Sequence, residues 1–350
     1  MSAPVLTLAC AASELDDLWP AAICLSLVTG RAFRLESPPD APPLVPRAWH
    51  LALARAACEL GDAPVGEALA FPADGKGRAA RARELHLDVG ALGTCSALGW
   101  LIPPLSLAGG GALHLRGATH PAAGASVETA SLWWPTVLGA FGRRLSVRLQ
   151  RASFAPQLGG ALVAEVPPED SSPPALVELQ RRGTLHEVRI TSVVAGAQAV
   201  RADRQRQGAL TLLRERGIQA EAAARALPSD AALGGAVWIQ AQFEHSTAVF
   251  SAVAAPGEAP EATGARAAAQ LVAFLASPGA TDPDTAAQLL LWGALLADGR
   301  LGRSEPGTTE VQAPRADPAL RAIARAAEAF LQVTATVDED GRCRVAPRPR

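Results

Sequence analysis

Apolar residues recur along this chain in two periods. Segments such as "DTAAQLLLWGALLA" and "DPALRAIARAAEAFL" carry them every three to four residues, the spacing of a helix face. In "RLSVRLQR" and "QVTATV" they alternate with polar residues, as on a half-exposed strand. The whole chain read this way predicts one succession, helix, strand, helix, strand, strand, met three times. After a first strand near "PVLTLA", the first unit has a helix over 14–29, the strand "RAFRLE", a helix over 46–61 and strands near 64–71 and 82–89. The second has a helix over "TCSALGWLIPPLSLA", the strand "ALHLRG", a helix over "SVETASLWWPTVLGAF" and the strands "RLSVRLQR" and "ALVAEV". The third comes near the end, with a helix over "DTAAQLLLWGALLA", a strand over "TTEVQA", a helix over "DPALRAIARAAEAFL" and the strands "QVTATV" and "RCRVAP".

Between the second and third units, after the Pro/Ser/acidic linker "PPEDSSPP", the pattern predicts a separate set of elements. These are the strand "TLHEVRITSVVA", the helix "DRQRQGALTLLRERG", the strands "AVWIQAQFEH" and "TAVFSAVA", and the helix "GARAAAQLVAFLA". The expected fold class is α/β (α+β). Three repeated βα units form the core over 1–175 and 281–350, and a smaller α/β domain is inserted over 176–280.

Composition narrows the function classes. The chain has 350 residues, 49% of them hydrophobic, enough for one large core or two smaller ones. Among 32 Lys and Arg residues only Lys76 is a lysine, and Tyr is absent, so the arginine content reads as compositional bias and not as an RNA-binding signal. A net charge of -2 speaks against a wholesale polyanion-binding surface but leaves room for a local basic groove. The five cysteines are odd in number, far apart and without a C-x-x-C pair, which predicts reduced cytoplasmic thiols and indicates no disulfide framework or metal site. No uninterrupted apolar run of about 18 residues predicts a membrane span.

Candidate chemistry starts with "VPRAWHLALARAACEL". Arg47 sits in the first turn of its predicted helix, where the electropositive N-terminus makes a cation cost about 0.3–1 kcal/mol unless an anion lies beside it. With His50 one turn on, this is either a phosphate contact or an ordinary exposed cation beside a boundary histidine on the apolar stripe Trp49, Leu53, Ala56, Leu60. His120, in "RGATHPAAGASVE", either contacts substrate or bonds local backbone. His245 reads as structural on a strand, Asp16 and Asp17 as a solvated first turn, and Trp133 and Trp134 as core. The glycines at 109–111 lack a following Lys-Ser/Thr and are not a P-loop. Each unit has a strand, a loop and a helix start at the place Arg47 occupies, although three loops around a pseudo-threefold axis need not converge.

In order and spacing, "LSLVTGRAFRLE", "PRAWHLALARAA", "LDVGALGTCSAL", "LRGATH", "FAPQLGG", "FEHSTAVFSAV" and "AAAQLVAFLASPGATDPDTAAQLLL" resemble the RNA 3'-terminal phosphate cyclase family over nearly the whole chain. The resemblance implies three repeated βα units, as in the enolpyruvyl transferases, with a small α/β domain before the last repeat. It also implies ATP and a divalent metal such as Mg as cofactors, and RNA 3' ends as the partner. In the implied reaction a histidine takes AMP from ATP, AMP passes to the RNA 3'-phosphate, and the 2'-hydroxyl displaces it to leave a 2',3'-cyclic phosphate. Such a nucleophile must be a neutral imidazole, and arginines and metal must neutralise the phosphates.

Several positions depart from the family pattern. The segment that would supply the nucleophile, "EPGTTEVQAPRADP", holds Thr308, Thr309 and Gln312, and no histidine follows His245, so no catalytic residue is assigned. Asp16, Asp17 and Pro20 stand where Gly, Gln and Arg are expected, Ala287 replaces an acidic residue beside Gln288, and Trp49 and Trp100 replace glutamines. What remains, as implied by the resemblance, is Arg47, His50, Thr119 and His120 toward RNA or phosphate, and Gly90, Gly93 and Gln288 toward nucleotide. Two readings stay open: an active or diverged cyclase, or a non-catalytic cyclase-like pseudoenzyme that binds RNA ends or serves RNA processing or assembly. A small-molecule transferase on the same scaffold is a remote third.

Overall fold

The computed structural model describes residues 4–64, 69–72, 76–81, 83–90, 92–168, 177–195, 199–227, 234–302 and 307–349. The first half runs β1 (Leu6–Ala9), α1 (Leu15–Thr29), β2 (Phe33–Glu36), α2 (Ala48–Gly61), β3 (Ala70–Phe71), β4 (Arg83–Gly90), α3 (Thr94–Leu107), β5 (Gly111–Gly117), α4 (Trp134–Gly139), β6 (Ser146–Arg151) and β7 (Gly160–Val166). There follow β8 (Glu178–Leu179), β9 (Leu185–Ala195), α5 (Ala199–Glu215), β10 (Glu221–Leu227), β11 (Gly234–Phe243), β12 (Thr247–Val253) and α6 (Pro260–Leu275). The chain ends with α7 (Pro283–Ala297), β13 (Thr309–Gln312), α8 (Pro318–Phe330), β14 (Val333–Val337) and β15 (Arg342–Pro347).

Four small mixed sheets result, and three of them repeat one plan. A parallel pair opens each: β1 with β2, joined through α1, β4 with β5, joined through α3, and β8 with β13, between which lie the β9–α6 segment and α7. An antiparallel partner then lies against the second strand, giving the orders β1-β2-β3, β4-β5-β7-β6 and β8-β13-β15-β14. The strand expected to close the first unit, at 82–89, therefore opens the second sheet as β4. The two-residue β8, too short for any periodicity, opens the third. The strand expected over 64–71 is seen as Ala70–Phe71, since 65–68 lie outside the described residues, as does most of the linker "PPEDSSPP".

Helices α1, α3 and α7 are apolar on nearly every side and correspondingly buried, as helices without a polar face must be. α1 packs on α2, α3 and α8, and α7 packs on α8 and α4, so the helices of the three units close on one another inside one continuous apolar cluster. The single helix expected over 126–141 is instead a π-wound turn, Thr129–Trp133, running into α4. Pro135 has no N–H to return to the carbonyl one turn back, so the helical register slips there.

The segment from β9 to α6 forms the fourth sheet, β10-β9-β11-β12, with α5 and α6 packed against it and each other. Alternation along the strands sends Val188, Ile190, Val237 and Ile239 toward the helices. Val193, Ala236, Trp238 and Val253 face the other way and pack on Ala152 and Phe154 after β6. Gly234 permits that approach, because a Cβ there would lie 2.6 Å from the Phe154 side chain. Strand β10, "EAAARAL", is absent from the sequence reading: it is an exposed edge, and its alanines carry little strand signal. His245, expected on a strand, lies in the exposed turn between β11 and β12. Among the described residues no helix is long and apolar enough to cross a membrane.

Arg182 ties the start of this segment to its end. Its guanidinium donates to the carbonyls of Phe274 at 3.2 Å, Leu275 at 2.7 Å, Ser277 at 3.0 Å and Gly279 at 2.6 Å, and lies 4.8 Å from the centre of the Phe274 ring. It thus satisfies carbonyls that the C-terminus of α6 leaves open. Arg182→Ala is expected to destabilise this segment by about 2–3 kcal/mol, the scale of hydrogen bonds to a charged donor, and to lower amide hydrogen-exchange protection in the last turns of α6 by about 30-fold or more. Hydrogen exchange read by mass spectrometry checks this, and unchanged protection there would refute the capping role.

Candidate functional site

A cleft of about 440 Å³ opens where the N-terminal turns of five helices meet. Asp16, Asp17 and Pro20 come from α1, Trp49 from α2, Ser96, Gly99 and Trp100 from α3, Asp284, Ala287 and Gln288 from α7, and Ala319 from α8. The loop after β5 adds Ala123–Ala125, and α4 adds Trp134. The three loops that symmetry alone did not require to converge therefore do so, through Trp49, Gly124 and Ala319.

Arg47 has its anion within the chain. Its guanidinium donates to Asp16 Oδ2 at 2.6 Å, so the unfavourable cation at the start of α2 is offset by a carboxylate from the first turn of α1. Both side chains are well exposed, at 67% and 41%, so the pair contributes only about 0–1 kcal/mol. Asp16 is thus a partner for Arg47 and not merely a solvated first-turn residue, a contact between residues 31 apart that helix-local reading could not supply.

His50 is fully buried. Its Nδ1 accepts the backbone N–H of Arg47 at 2.8 Å, which assigns the ring proton of the neutral form to Nε2. Nε2 lies 3.2 Å from Asp16 Oδ1, close enough for electrostatic attraction but out of line for a good hydrogen bond. The ring stacks on Trp49 with centroids 3.7 Å apart, and the His50 carbonyl accepts from Trp19 Nε1 at 3.1 Å. Burial pushes the imidazole below its ordinary value despite the opposing pull of Asp16. His50 is therefore a neutral member of the helix cap, not an outward-facing group.

Thr119 and His120 are likewise buried. The Thr119 hydroxyl donates to the Ser153 carbonyl at 3.0 Å and accepts the Ser153 N–H at 2.8 Å. His120 Nε2 lies 3.1 Å from Glu128 Oε1, its Nδ1 lies 3.0 Å from Thr119 Oγ1, and its ring stacks on Phe154. Burial alone would raise the Glu128 carboxyl, but the charge and hydrogen bond of His120 outweigh it and leave it below its ordinary value. These side chains fasten the loop after β5 to the strand after β6 and turn no free polar atom outward.

The glycine turn is also internally satisfied. Asp88 Oδ1 accepts the Gly90 N–H at 2.9 Å, and the Thr94 N–H and hydroxyl both go to the Ala118 carbonyl. Gly93, at φ +83°, takes a backbone conformation that side chains disfavour and so lets α3 start beside Pro121. Gln288 is different. It is 8% exposed, lies in the cleft wall against Gly99, and its amide makes no hydrogen bond among the described residues.

The electrostatics of the cleft are acidic. Helix N-termini attract anions, but here Asp282 caps α7 by accepting the Thr285 N–H, Asp317 caps α8 by accepting the Ala319 N–H, and Asp16 and Asp17 occupy the first turn of α1. Asp284 is pushed up to about 7 by burial and by the charges of Asp282 and Asp317. Asp17 is also raised, first by burial and then by Asp317 and Asp16. No described residue lining the cleft is basic. A triphosphate does not fit this lining, which offers it no basic side chain: Asp16 is already paired with Arg47 at the lip, and Asp17 and Asp284 add only acidic groups. A cation bridging the carboxylates is not favoured either, because no three of their oxygens converge among the described residues. In the segment before α8, Thr309 is buried and Gln312 donates to the carbonyls of Ala313 and Asp340.

Against known proteins, residues 19–337 match the family model described as RNA 3'-terminal phosphate cyclase. The RNA 3'-terminal phosphate cyclase of Methylococcus capsulatus is 32% identical over 292 residues, covering 78% of this chain and 79% of that one. Those of Ralstonia nicotianae and Salmonella typhimurium are each 29% identical, over 79% of this chain and 80% and 82% of their own.

The raised Asp284 carboxyl has a stability consequence. Its folded-state value lies above that of an unfolded aspartate, so the folded chain holds a proton the unfolded chain has released, and this group costs stability progressively as pH rises from about 4 to 7. Asp284→Asn should therefore be more stable than the parent by about 2–4 kcal/mol near pH 8, with the difference shrinking steadily toward pH 4. Urea unfolding at several pH values checks the sign, and a difference independent of pH would contradict it.

Proposed function

The chain belongs to the RNA 3'-terminal phosphate cyclase family, and from that premise we propose that it binds RNA 3'-phosphate ends without adenylylating itself. What carries this reading is the charge of the cleft, where Asp16, Asp17 and Asp284 line the space and no basic side chain among the described residues joins them. A nucleotide-activating site must gather cations around three phosphates before any nucleophile can act. The absence of any histidine after His245 agrees with that, since Thr308, Thr309 and Gln312 offer no neutral imidazole in its place.

RNA binding asks less of the site than adenylylation does. Arg47 stands at the lip, beside the cleft's Asp16 and Trp49, in an exposed ion pair of about 0–1 kcal/mol. A terminal phosphate that accepts charge-assisted hydrogen bonds from the guanidinium offers about 1.5–3 kcal/mol, enough to displace the Asp16 carboxylate. Asp16 thus acts as a built-in competitor for the phosphate, holding Arg47 in place when no RNA is present. His50 supports this lip from beneath, and Thr119 and His120 fasten the loop after β5 instead of touching the ligand.

Two measurements test the proposal. Incubation with ATP labelled at the α-phosphate and Mg should give no acid-labile covalent AMP, and a stoichiometric adduct would overturn the non-adenylylating reading. In binding assays with RNA ending in 3'-phosphate or 3'-hydroxyl, the phosphate should be preferred. Arg47→Ala should abolish that preference, and Asp16→Asn should strengthen phosphate binding by up to about fivefold, the worth of a competing exposed ion pair. Equal affinity for both ends in all three proteins would refute a role for Arg47.

A further inference from the structure

Away from the cleft, the sheet β4-β5-β7-β6 buries one face against α3 and leaves the other to solvent. Leu85, Leu87 and Val89 on β4, with Leu113 and Leu115 on β5, point into the core cluster. Alternation therefore puts Glu84, His86 and Asp88 on the open face, beside Ala112, His114 and Arg116 of the parallel neighbour. The register sets His86 directly opposite His114, their rings stacked 4.2 Å apart at 17°. Glu84 Oε1 lies 2.8 Å from His114 Nε2. One donor atom from each of Glu84, His86 and His114 lies within 4.8 Å of the other two, and no other three such residues converge among those described.

We propose that Glu84, His86 and His114 form a surface site for a divalent transition-metal ion of the zinc class. Two imidazole nitrogens and a carboxylate oxygen are ligands that Zn²⁺ and Co²⁺ accept, whereas Mg²⁺ prefers an all-oxygen shell. The donors lie within 4.8 Å of one another, and one ion would draw them in, because metal–donor bonds of about 2.0–2.2 Å put two donors of a tetrahedral ion about 3.3 Å apart. Small rotations of the two rings bring both nitrogens toward a common point. The parallel register fixes the bases of the two histidines, so the ligand pair is held by backbone pairing and not by a loop. On the other side, Ala161 helps line an open groove of about 600 Å³ that also reaches His86, His114, Asp88, Arg116 and Gln150. Three protein ligands then leave one coordination position facing this groove, free for water. The five thiols compete poorly for such an ion, since all are buried and burial pushes Cys10, Cys24, Cys95 and Cys343 above the ordinary thiol value.

The untagged full chain tests this without reference to RNA or ATP. Titration with Co²⁺ should give one equivalent of bound metal with the visible absorption of a four- or five-coordinate ion. Zn²⁺ should displace it, whereas Mg²⁺ in excess should not. His86→Gln and His114→Gln should each weaken Zn²⁺ binding, measured against a chromogenic chelator, by about tenfold or more, and Glu84→Gln by a smaller factor. Zn²⁺ should raise the melting temperature of the parent but not of the double histidine variant, whose metal-free melting temperature reports its folding independently. Absence of saturable Co²⁺ binding, or unchanged affinity in the double variant, would overturn the proposal. If only that variant misfolds, the single-residue Glu84→Gln and His86→Gln affinities decide it.

Discussion

The fold depends on one constraint: α1, α3 and α7 have almost no polar face, so each must be covered on all sides. No single sheet can do that for its own helix. The three units must pool their helices and leave the sheets outside, which is why contacts run from α1 to α3 and α8 and from α4 to α7. Once pooled, the helices have little freedom in direction. Helices α1, α3 and α7, each leading into the second strand of its parallel pair, bring their first turns to the same cleft.

That arrangement concentrates positive dipole ends at one place, a ready anion site in the abstract. Here the chain supplies the anions itself. Asp282 and Asp317 cap their own helices, Asp16 and Asp17 sit in the first turn of α1, and Asp284 follows its cap by two residues. The result is a crowd of carboxylates so close that burial and mutual repulsion raise Asp17 and Asp284. Local capping satisfies each helix separately, and the sum leaves the cleft they share lined by acidic groups and no basic one among the described residues. Gln288, nearly buried yet without a partner among the described residues, keeps a neutral hydrogen-bonding function in that wall.

Long elements with a strong period were legible in the sequence, and so was the triple succession of helices and strands. Its phase was not: β4 belongs to the second sheet because it pairs with β5, a fact about partners that no single strand records. Strand β8 has two residues, and β10 is an alanine-rich edge, so neither carries a period or a packing signal. At the site, Arg47 and His50 stood out by position, but the buried settings of His50, Thr119 and His120 involve Trp19, Ser153 and Phe154 reaching them from elsewhere in the chain. The stacked pair His86 and His114 was invisible for the same reason. The residues are 28 positions apart, and only the parallel register of β4 and β5 makes them neighbours, although alternation around "ELHLDV" and "ALHLRG" already placed each histidine on a polar face.

The Arg47–Asp16 contact joins two positions that are each unfavourable alone. A carboxylate at position 16 removes the electropositive character a triphosphate would need, and an isolated cation at 47 would cost stability at the start of α2. Together they cancel, with Asp16 Oδ2 on the guanidinium and Oδ1 near the buried His50 Nε2. His50 in turn fixes the Arg47 backbone N–H, so cap, cation and carboxylate form one unit spanning α1 and α2. Because the ion pair is exposed and weak, its geometry is held by packing beneath it more than by its own energy. The guanidinium is therefore positioned at the lip by the packing beneath it, and anion exchange there, as proposed for an RNA phosphate, would need no rearrangement of the helices that carry it.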